Sequence, residues 1–179
     1  HLNKVNSETW GGFIFINLDK KPSPFKKYIK NISDQFIRYP LNELVSSRSY
    51  QYEVSANWKV ILENYNECYH CAGVHPELVS IVPAFKENGA NGLDWEKGVP
   101  HRNGANTFTF KGTTNRDPFP GLNESEKDNH FGQALYPNLM MSLSMDHVAA
   151  FILRPISPTK TMIDCRILFH PNDCLLYTS

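Results

Sequence analysis

Three side chains with metal-binding chemistry, Glu67, His70 and His75, lie within nine positions of the sequence. Neutral imidazole nitrogens suit borderline metals such as iron and zinc. Two histidines and one carboxylate, with coordination positions left open for substrate or dioxygen, make up the facial ligand set of non-haem Fe(II) oxygenases. The cluster therefore predicts a metal site, and the spacing of its members indicates how the chain builds it.

In a helix, Glu67 and His70 are i,i+3 neighbours whose head groups can meet on one face. His75 does not fit that face, because five residues at 3.6 per turn carry it round by about 140°. The helix is therefore predicted to end or distort between the histidines, where Gly73 can take a left-handed conformation and Pro76 cannot continue a helix. The competing interpretation is an ordinary surface ion pair followed by a histidine at a helix end.

The segment Asn57 to Pro76, NWKVILENYNECYHCAGVHP, resembles the iron-binding signature of the large (alpha) subunits of Rieske non-haem iron oxygenases. In that family an acidic residue, two others, a histidine, four others and a second histidine follow an Asn-Trp-Lys and a Glu-Asn pair, and every one of these features is present. The resemblance implies that His70 and His75 bind a mononuclear Fe(II). It places the third ligand, an Asp or Glu on a helix after the sheet, beyond the end of this chain, since neither Asp164 nor Asp173 matches it.

The same resemblance makes Glu67 and Asn64 the candidate catalytic residues. The family counterpart of Glu67, usually Asp, bridges by hydrogen bonds between an iron-binding histidine and a Rieske histidine of the neighbouring subunit. It thereby conveys electrons across a trimer interface, and the Glu of this chain is one methylene longer. Asn64 matches a family asparagine near the iron, and an ordinary hydrogen bond of a helix residue is the alternative for it.

Two other kinds of metal or redox site fit the sequence less well. Cys68 and Cys71 flank His70, but a redox Cys-x-x-Cys pair should open a helix after a strand, and a structural zinc site needs a second Cys/His pair. Cys165 stands in the apolar run IDCRILF and is predicted to be a core strand residue. A di-iron carboxylate bundle needs Glu-x-x-His twice on four long helices, whereas this chain supplies it once.

Composition excludes several other classes of function. The 179 residues are 41% hydrophobic, enough for one domain of ordinary size or for one domain and part of another. Eighteen basic and eighteen acidic residues give a net charge of zero, which argues against a nucleic-acid partner. The sequence has no run of about eighteen apolar residues and no signal-peptide core, and its four cysteines lack a regular framework. We therefore expect a cytoplasmic protein with no membrane partner.

The remaining patterns predict an α+β fold in which a helix carries the metal ligands against an antiparallel sheet. The break at Lys20–Pro24 separates a β-rich run from a helix at Phe25–Arg38, and a short strand at Tyr50–Val54 precedes the signature. Residues 83–129 predict a long lid or binding loop over the site, with a partly disordered insertion as the alternative. Three strand-like runs separated by turn signals then predict an antiparallel meander: Ala134–Ser144, His147–Ile156 and Thr161–Phe169.

Under the resemblance, the catalytic domain is a helix-grip fold whose sheet curves around iron and substrate, and the opening run WGGFIFINL is typical of the exit from a Rieske domain. A Rieske cluster needs a Cys-x-His pair and a Cys-x-x-His pair, and this sequence has no Cys-x-x-His pair and no cysteine before Cys68, so the [2Fe–2S] cluster is expected elsewhere in a longer protein. The closing run CLLYTS back-translates to a sequence that resembles a transposon-library adapter, and we interpret it as a scar. The predicted organisation is the tail of a Rieske domain at 1–20, a linker helix at 21–45, a partial catalytic domain at 46–173 and the scar at 174–179.

The implied activity is reductive oxygen activation, in which a Rieske cluster delivers electrons singly and a small organic substrate is hydroxylated or N-demethylated. Dioxygen, a ferredoxin or flavin reductase and a homotrimer are the implied partners. The runs YPNLMMSLSMDHV and PFPGL are closer to the glycine-betaine and choline-type branch than to ring hydroxylases. The alternative is a non-catalytic helix-grip module that binds small molecules and has structural histidines.

An ammonium substrate would favour an aromatic cage in the binding site. Aromatic residues make up 12% of the sequence, and any one of them is equally expected in the hydrophobic core. The candidate members of a cage are Phe108, Phe110, Tyr136 and Phe151.

Overall fold

The computed structural model describes residues 4–87 and 91–174. Its strands are β1 (Asn6–Trp10), β2 (Phe13–Asn17), β3 (Val45–Val54), β4 (Val99–Pro100), β5 (Asn129–Leu135), β6 (Leu139–Leu143), β7 (Val148–Ser157) and β8 (Lys160–Phe169). Its α-helices are α1 (Phe25–Gln35), α2 (Trp58–Tyr65), α3 (Cys71–Val74), α4 (Pro76–Ile81), α5 (Glu124–Asp128) and α6 (Pro171–Cys174), and a 3-10 turn covers Pro83–Phe85. The interpretation of residues 174–179 as a scar falls almost wholly outside the described residues.

Strands β3 to β8 form one antiparallel sheet in the order β3-β8-β7-β6-β5-β4. Consecutive strands β5 to β8 pair as a meander, as the alternating runs predict. The first of those runs is divided in two, because residues 136–138 form a turn between β5 and β6. Cys165 lies buried in β8, as predicted. An antiparallel sheet combined with helices confirms the predicted α+β class.

The opening β-rich run forms a hairpin with the residues before it. Strands β1 and β2 pair from Asn6↔Asn17 to Trp10↔Phe13, and Gly11 and Gly12 form the two-residue turn. Both glycines have positive φ, 60° and 80°, which is the backbone that a tight hairpin of this type requires. The β-rich run predicted before Lys20 therefore forms the second strand of a hairpin, and the residues before the glycine pair form the first.

Helix α2 is fixed to the sheet at both ends. At its N-terminus the Asn57 side chain accepts the Lys59 backbone N–H at 3.0 Å and donates to the Pro158 carbonyl, in the β7–β8 turn, at 2.7 Å. At its C-terminus the Tyr65 hydroxyl donates to the Met141 carbonyl of β6 at 2.5 Å. These bonds place the end of the helix, where the signature continues, at a defined position over the sheet.

Between these two ends, α2 packs on the sheet through an apolar contact. Leu62 has no exposed surface and lies against Met140, Leu153 and Ile163, which are also buried. Full burial of a leucine side chain contributes roughly 1.5–3 kcal/mol to folding. The apolar contact and the two end contacts together hold one short helix against three strands.

The described residues of the long segment 83–129 pack against the rest of the domain. Its residues with almost no exposed surface include Val99, Thr107, Phe119 and Leu122. Their burial disfavours a disordered insertion for residues 91–129 and agrees with a loop that covers part of the sheet. In the described ranges, no helix is long and apolar enough to cross a membrane.

Candidate metal centre

The stretch around the predicted ligands is not one helix. Helix α2 ends at Tyr65, so the prediction that Glu67 and His70 share a helical face is wrong. Helix α3 begins directly after His70, and α4 begins at Pro76, in the first-turn position where proline is favoured. Gly73 lies inside α3 and is not a left-handed terminator. The two histidines therefore lie at the junctions of three short helices.

Local hydrogen bonds explain why α2 stops early. The Asn66 side chain donates to the Leu62 carbonyl at 2.8 Å, and so occupies an acceptor at the end of the helix. The Glu67 carboxylate accepts the backbone N–H of Tyr69 at 2.7 Å, a donor that a continuing helix would use for its own ladder. Polar side chains that bond to nearby backbone compete with helix formation, and here they turn the chain before His70.

The Glu67 carboxylate contacts the His70 imidazole despite the break in the helix. Oε1 of Glu67 lies 2.5 Å from Nδ1 of His70, and Asn64 Nδ2 donates to the same carboxylate oxygen at 3.2 Å. The hydrogen bond from His70, together with the Tyr69 backbone N–H, lowers the pKa of Glu67. An ionised Glu67 holds the imidazole proton on Nδ1 and leaves the lone pair on Nε2. This carboxylate–histidine pairing is the usual arrangement behind a metal-bound histidine.

The structure brings the two predicted histidine ligands together. The ring centroids of His70 and His75 are 5.2 Å apart, and the ring planes are 77° from parallel. A metal about 2.1 Å from an imidazole nitrogen lies roughly 3.2 Å from the ring centroid, so two rings that share a metal at 90–109° have centroids about 4.5–5.2 Å apart. The observed separation fits one shared ion. The donor set, two imidazoles with a carboxylate behind one of them, therefore fits Fe(II).

In residues 4–87 and 91–174, no three His, Cys, Asp or Glu side chains come close enough together to hold a metal ion. The Glu67 carboxylate lies behind His70, bonded to its Nδ1, and does not make a third ligand with the two imidazoles. His70 is 22% exposed at the side chain, and Glu67 is 45% exposed. The described part of the site is thus a pair of candidate ligands that remain accessible to further groups.

A depression of about 410 Å³ lies beside His75, between α4 and the loop that follows β4. It is lined by His75, Glu77, Leu78, Ile81 and the run Phe108–Phe110. Of the two histidines, His75 lines the depression and His70 does not, and the walls come from a helix and a loop.

The four candidate cage residues separate into two groups. Phe108 and Phe110 line the depression beside His75. Tyr136 lines a different groove, next to the β1–β2 hairpin, and Phe151 packs against Tyr65 in the core under α2. A cage made of all four residues is therefore wrong, and two of them remain as candidates.

The cysteine pair beside His70 consists of two free, buried thiols. Burial raises the pKa of Cys68 to about 12 and also raises the pKa of Cys71. Metal ligation and thiol redox chemistry both need the thiolate, which burial disfavours here. Burial of the two thiols therefore disfavours both the zinc-pair and the redox-pair interpretation.

A polar cluster behind the wall of the depression could not be found from the sequence. The Phe108 ring stacks on His130 with centroids 4.3 Å apart, and burial lowers the pKa of His130 to about 3, so its ring is neutral. The Thr107 hydroxyl donates to the buried carboxylate of Asp146, and the Ser144 hydroxyl accepts the Phe108 backbone N–H at 3.3 Å. These partners lie far apart in the chain and share no motif. Among the other residues that line the depression, Glu77 could have been found from the sequence, because it lies two positions after the predicted ligand His75.

Comparison with known proteins agrees with this site. Residues 41–175 match the family described as ring hydroxylating alpha subunit (catalytic domain). The glycine betaine monooxygenase oxygenase subunit of Chromohalobacter salexigens is 23% identical over 190 residues, which cover 89% of this chain and 43% of that protein. The carnitine monooxygenase oxygenase subunit of Acinetobacter baumannii is 32% identical over 81 residues, 44% of this chain and 22% of that protein.

Solved structures share the fold. A quaternary ammonium Rieske monooxygenase superimposes with a TM-score of 0.65 at 18% identity, over 96% of this chain and 46% of that one. Naphthalene 1,2-dioxygenase from Rhodococcus sp. superimposes with a TM-score of 0.61 at 16% identity, over 93% of this chain and 45% of that one.

The chain spans 43–46% of the length of the glycine betaine monooxygenase subunits that it matches. The family match covers the signature helix, both histidines and the whole sheet from β3 to β8, which confirms the resemblance that the Asn57 to Pro76 segment carried. The shared fold with Rieske oxygenases confirms the predicted arrangement of an antiparallel sheet with helices. The chain belongs to the family of ring-hydroxylating oxygenase alpha subunits and represents their catalytic domain.

Proposed function

We propose that the full-length protein containing this chain is a Rieske-type oxygenase that hydroxylates or N-demethylates a small organic substrate with dioxygen. Enzymes of this family use a mononuclear iron and a Rieske [2Fe–2S] cluster. The observation that carries the proposal is the unit of Glu67, His70 and His75, in which two imidazoles lie at a separation suited to one metal and a carboxylate fixes one of them.

In this proposal His70 and His75 hold Fe(II), which activates dioxygen for attack on the substrate when it is bound. His70 contributes Nε2, because its Nδ1 proton is held by Glu67. His75 makes no side-chain hydrogen bond within the described residues, so either of its nitrogens is available. The third ligand is a carboxylate that lies outside the described residues, as the family resemblance implies.

Glu67 has a second role in the proposal, as the link between the iron site and the Rieske cluster of a neighbouring subunit. Its carboxylate is 45% exposed and remains accessible to a partner histidine while it is bonded to His70. Asn64 supports this arrangement, because its side-chain amide donates to Glu67 Oε1 at 3.2 Å. Electron transfer through Glu67 requires a homotrimer, and a ferredoxin or flavin reductase supplies the electrons.

A quaternary ammonium compound is the substrate class that the relatives support, since both the betaine and the carnitine enzymes act on such compounds. A cytoplasmic location is part of the proposal and agrees with Cys68, Cys71 and Cys165, which are free thiols. The sequence runs that resemble the betaine and choline branch point to the same substrate class.

Metal analysis of the full-length protein tests the proposed function. We expect one mononuclear iron per subunit beyond the two irons of the cluster, and the loss of that iron alone in His70→Ala and His75→Ala. His170→Ala is the matched control, because His170 lies after β8 and its ring is 3.8 Å from Glu43. Oxygen uptake coupled to an oxygenated product, measured by mass spectrometry, completes the test. A full-length protein that binds substrate but carries no mononuclear iron would instead be the non-catalytic binding module.

A further inference from the structure

We infer that Phe108, Phe110 and Glu77 form a subsite for a trimethylammonium group beside the metal position. The inference rests on the proposed function, and it assigns the recognition of the cation to particular side chains. The three residues line the depression next to His75. A substrate held there by its cationic end would have its methyl groups next to the position that the two histidines define.

Two aromatic side chains line one wall of the depression. Phe110 is 90% exposed, and a large aromatic side chain left in solvent gains nothing for the fold. Phe108 is half-buried, and its ring is held by the stacked ring of His130 behind it. Aromatic faces attract ammonium ions, and the attraction strengthens as the ion loses water. A cation therefore gives the exposed Phe110 a physical role that packing does not.

The charge of the depression favours the same class of ligand. Of the described residues that line it, Glu77 carries a full charge, and the others are apolar, neutral or imidazole side chains. A divalent ion at His75 would repel an ammonium group, and the Glu77 carboxylate offsets that repulsion. An anionic end of a substrate would be repelled by Glu77, so the cationic end is the one that fits here.

The loop that carries the two phenylalanines is closed by backbone hydrogen bonds at its base. Gly112 closes it, since its carbonyl accepts the Asn106 N–H at 2.7 Å and its own N–H donates to Thr109 at 2.9 Å. Gly112 has φ of 74°, and a Cβ at this position would lie 2.6 Å from Ala105 Cβ. A binding wall that is held in place before the ligand arrives costs little ordering entropy on binding.

Binding of a charged and an uncharged ligand of the same shape tests the subsite. Choline and 3,3-dimethylbutan-1-ol differ by the replacement of the cationic nitrogen with carbon. Calorimetry on the full-length holoenzyme should show tighter binding of choline. Phe108→Leu and Phe110→Leu keep apolar bulk but remove the aromatic face, and we expect each to lower the preference for choline by about 2- to 30-fold.

Glu77→Gln tests the electrostatic part of the subsite. We expect the affinity for choline to fall by roughly 5-fold, with the affinity for the alcohol unchanged. Tyr136→Leu and Glu124→Gln are matched controls, because Tyr136 lines the other groove and Glu124 is an exposed carboxylate paired with Lys127. Both controls should keep the wild-type preference.

Equal binding of the two ligands by the wild-type enzyme would overturn the inference, and so would leucine variants that weaken both ligands equally. If Phe108→Leu does not fold, Phe110→Leu decides alone, since that side chain is exposed. Iron content separates this test from the test of the proposed function. Iron present without a choline preference refutes the subsite alone, whereas a choline preference without mononuclear iron refutes the oxygenase function and leaves the subsite standing.

Discussion

Replacement of Glu67 by glutamine separates a bridging carboxylate from an iron ligand. In the structure the two carboxylate oxygens of Glu67 face different donors: Oε1 accepts from His70 Nδ1 at 2.5 Å, and Oε2 accepts the Tyr69 N–H at 2.7 Å. A glutamine has one acceptor oxygen, so its NH₂ group must face one of these two donors. The substitution therefore removes the charge and also leaves one donor unmatched, while both histidines are unchanged.

We expect Glu67→Gln to keep its iron and to slow electron transfer from the cluster by about 10- to 100-fold, the usual range for a changed partner of a ligating histidine. Glu67→Asp keeps the charge but shortens the reach to His70, so its rate should lie between those of the wild type and the glutamine variant. The assay is a single turnover of the full-length trimer, in which cluster reoxidation is followed optically and iron is quantified in the same sample.

Glu63→Gln is the control for this experiment. Glu63 lies on α2, is exposed, and makes no side-chain hydrogen bond within the described residues. Its substitution should change neither the iron content nor the rate of reoxidation. The reasoning is refuted if Glu67→Gln loses iron and its remaining holoenzyme reoxidises at the normal rate, because Glu67 would then be a ligand and not a bridge.

Three further predictions concern the scaffold and are measured on the full-length protein by thermal or urea unfolding. Leu62→Ala should destabilise the catalytic domain by about 2–5 kcal/mol, because it opens a cavity between α2 and the sheet; a loss below about 1 kcal/mol would contradict this packing. Asn57→Ala should cost about 1–3 kcal/mol through the helix cap and the bond to Pro158, and Asn57→Asp should recover the cap part alone. Burial raises the pKa of Glu126, but its two bonds from Arg38, both 2.7 Å, and the Asn123 backbone N–H outweigh burial and lower it. A depressed folded-state pKa gives stability that is lost as pH falls below the ordinary value of 4.5, so Glu126→Gln should flatten the acid end of the stability profile, and an unchanged profile would exclude this role.

Much of the fold and of the ligand set could be predicted because the signals are local. The meander of β5 to β8 follows from alternating apolar residues between turn signals, and its pairing needs no information from elsewhere in the chain. The pair His70 and His75 could be named because it lies within a contiguous signature. The geometry of the pair could not be predicted. Helix α2 ends early because Asn66 and Glu67 bond to nearby backbone, and helical periodicity carries no information about such bonds.

The wall of the depression could not be predicted, because it depends on contacts between distant parts of the chain. Thr107 and Asp146 are 39 residues apart, and their contact sets the position of the loop that carries Phe108. Phe108 and Phe151 are both candidates for the aromatic cage in the sequence, and residue type alone does not separate them. Tertiary packing places one beside His75 and the other beneath α2, and no local pattern distinguishes the two outcomes.

The attachment of α2 at both ends has a consequence for how such enzymes change over time. The ligand pair is positioned by one contiguous segment that is anchored to the β7–β8 turn and to β6, whereas the aromatic wall belongs to a separate loop with its own anchors. Insertions or substitutions in the loop can therefore alter which molecules fit without moving the histidines. A lineage built this way can acquire new substrates while it inherits its metal chemistry intact, and a designer could exchange residues 106–113 between relatives with the same expectation.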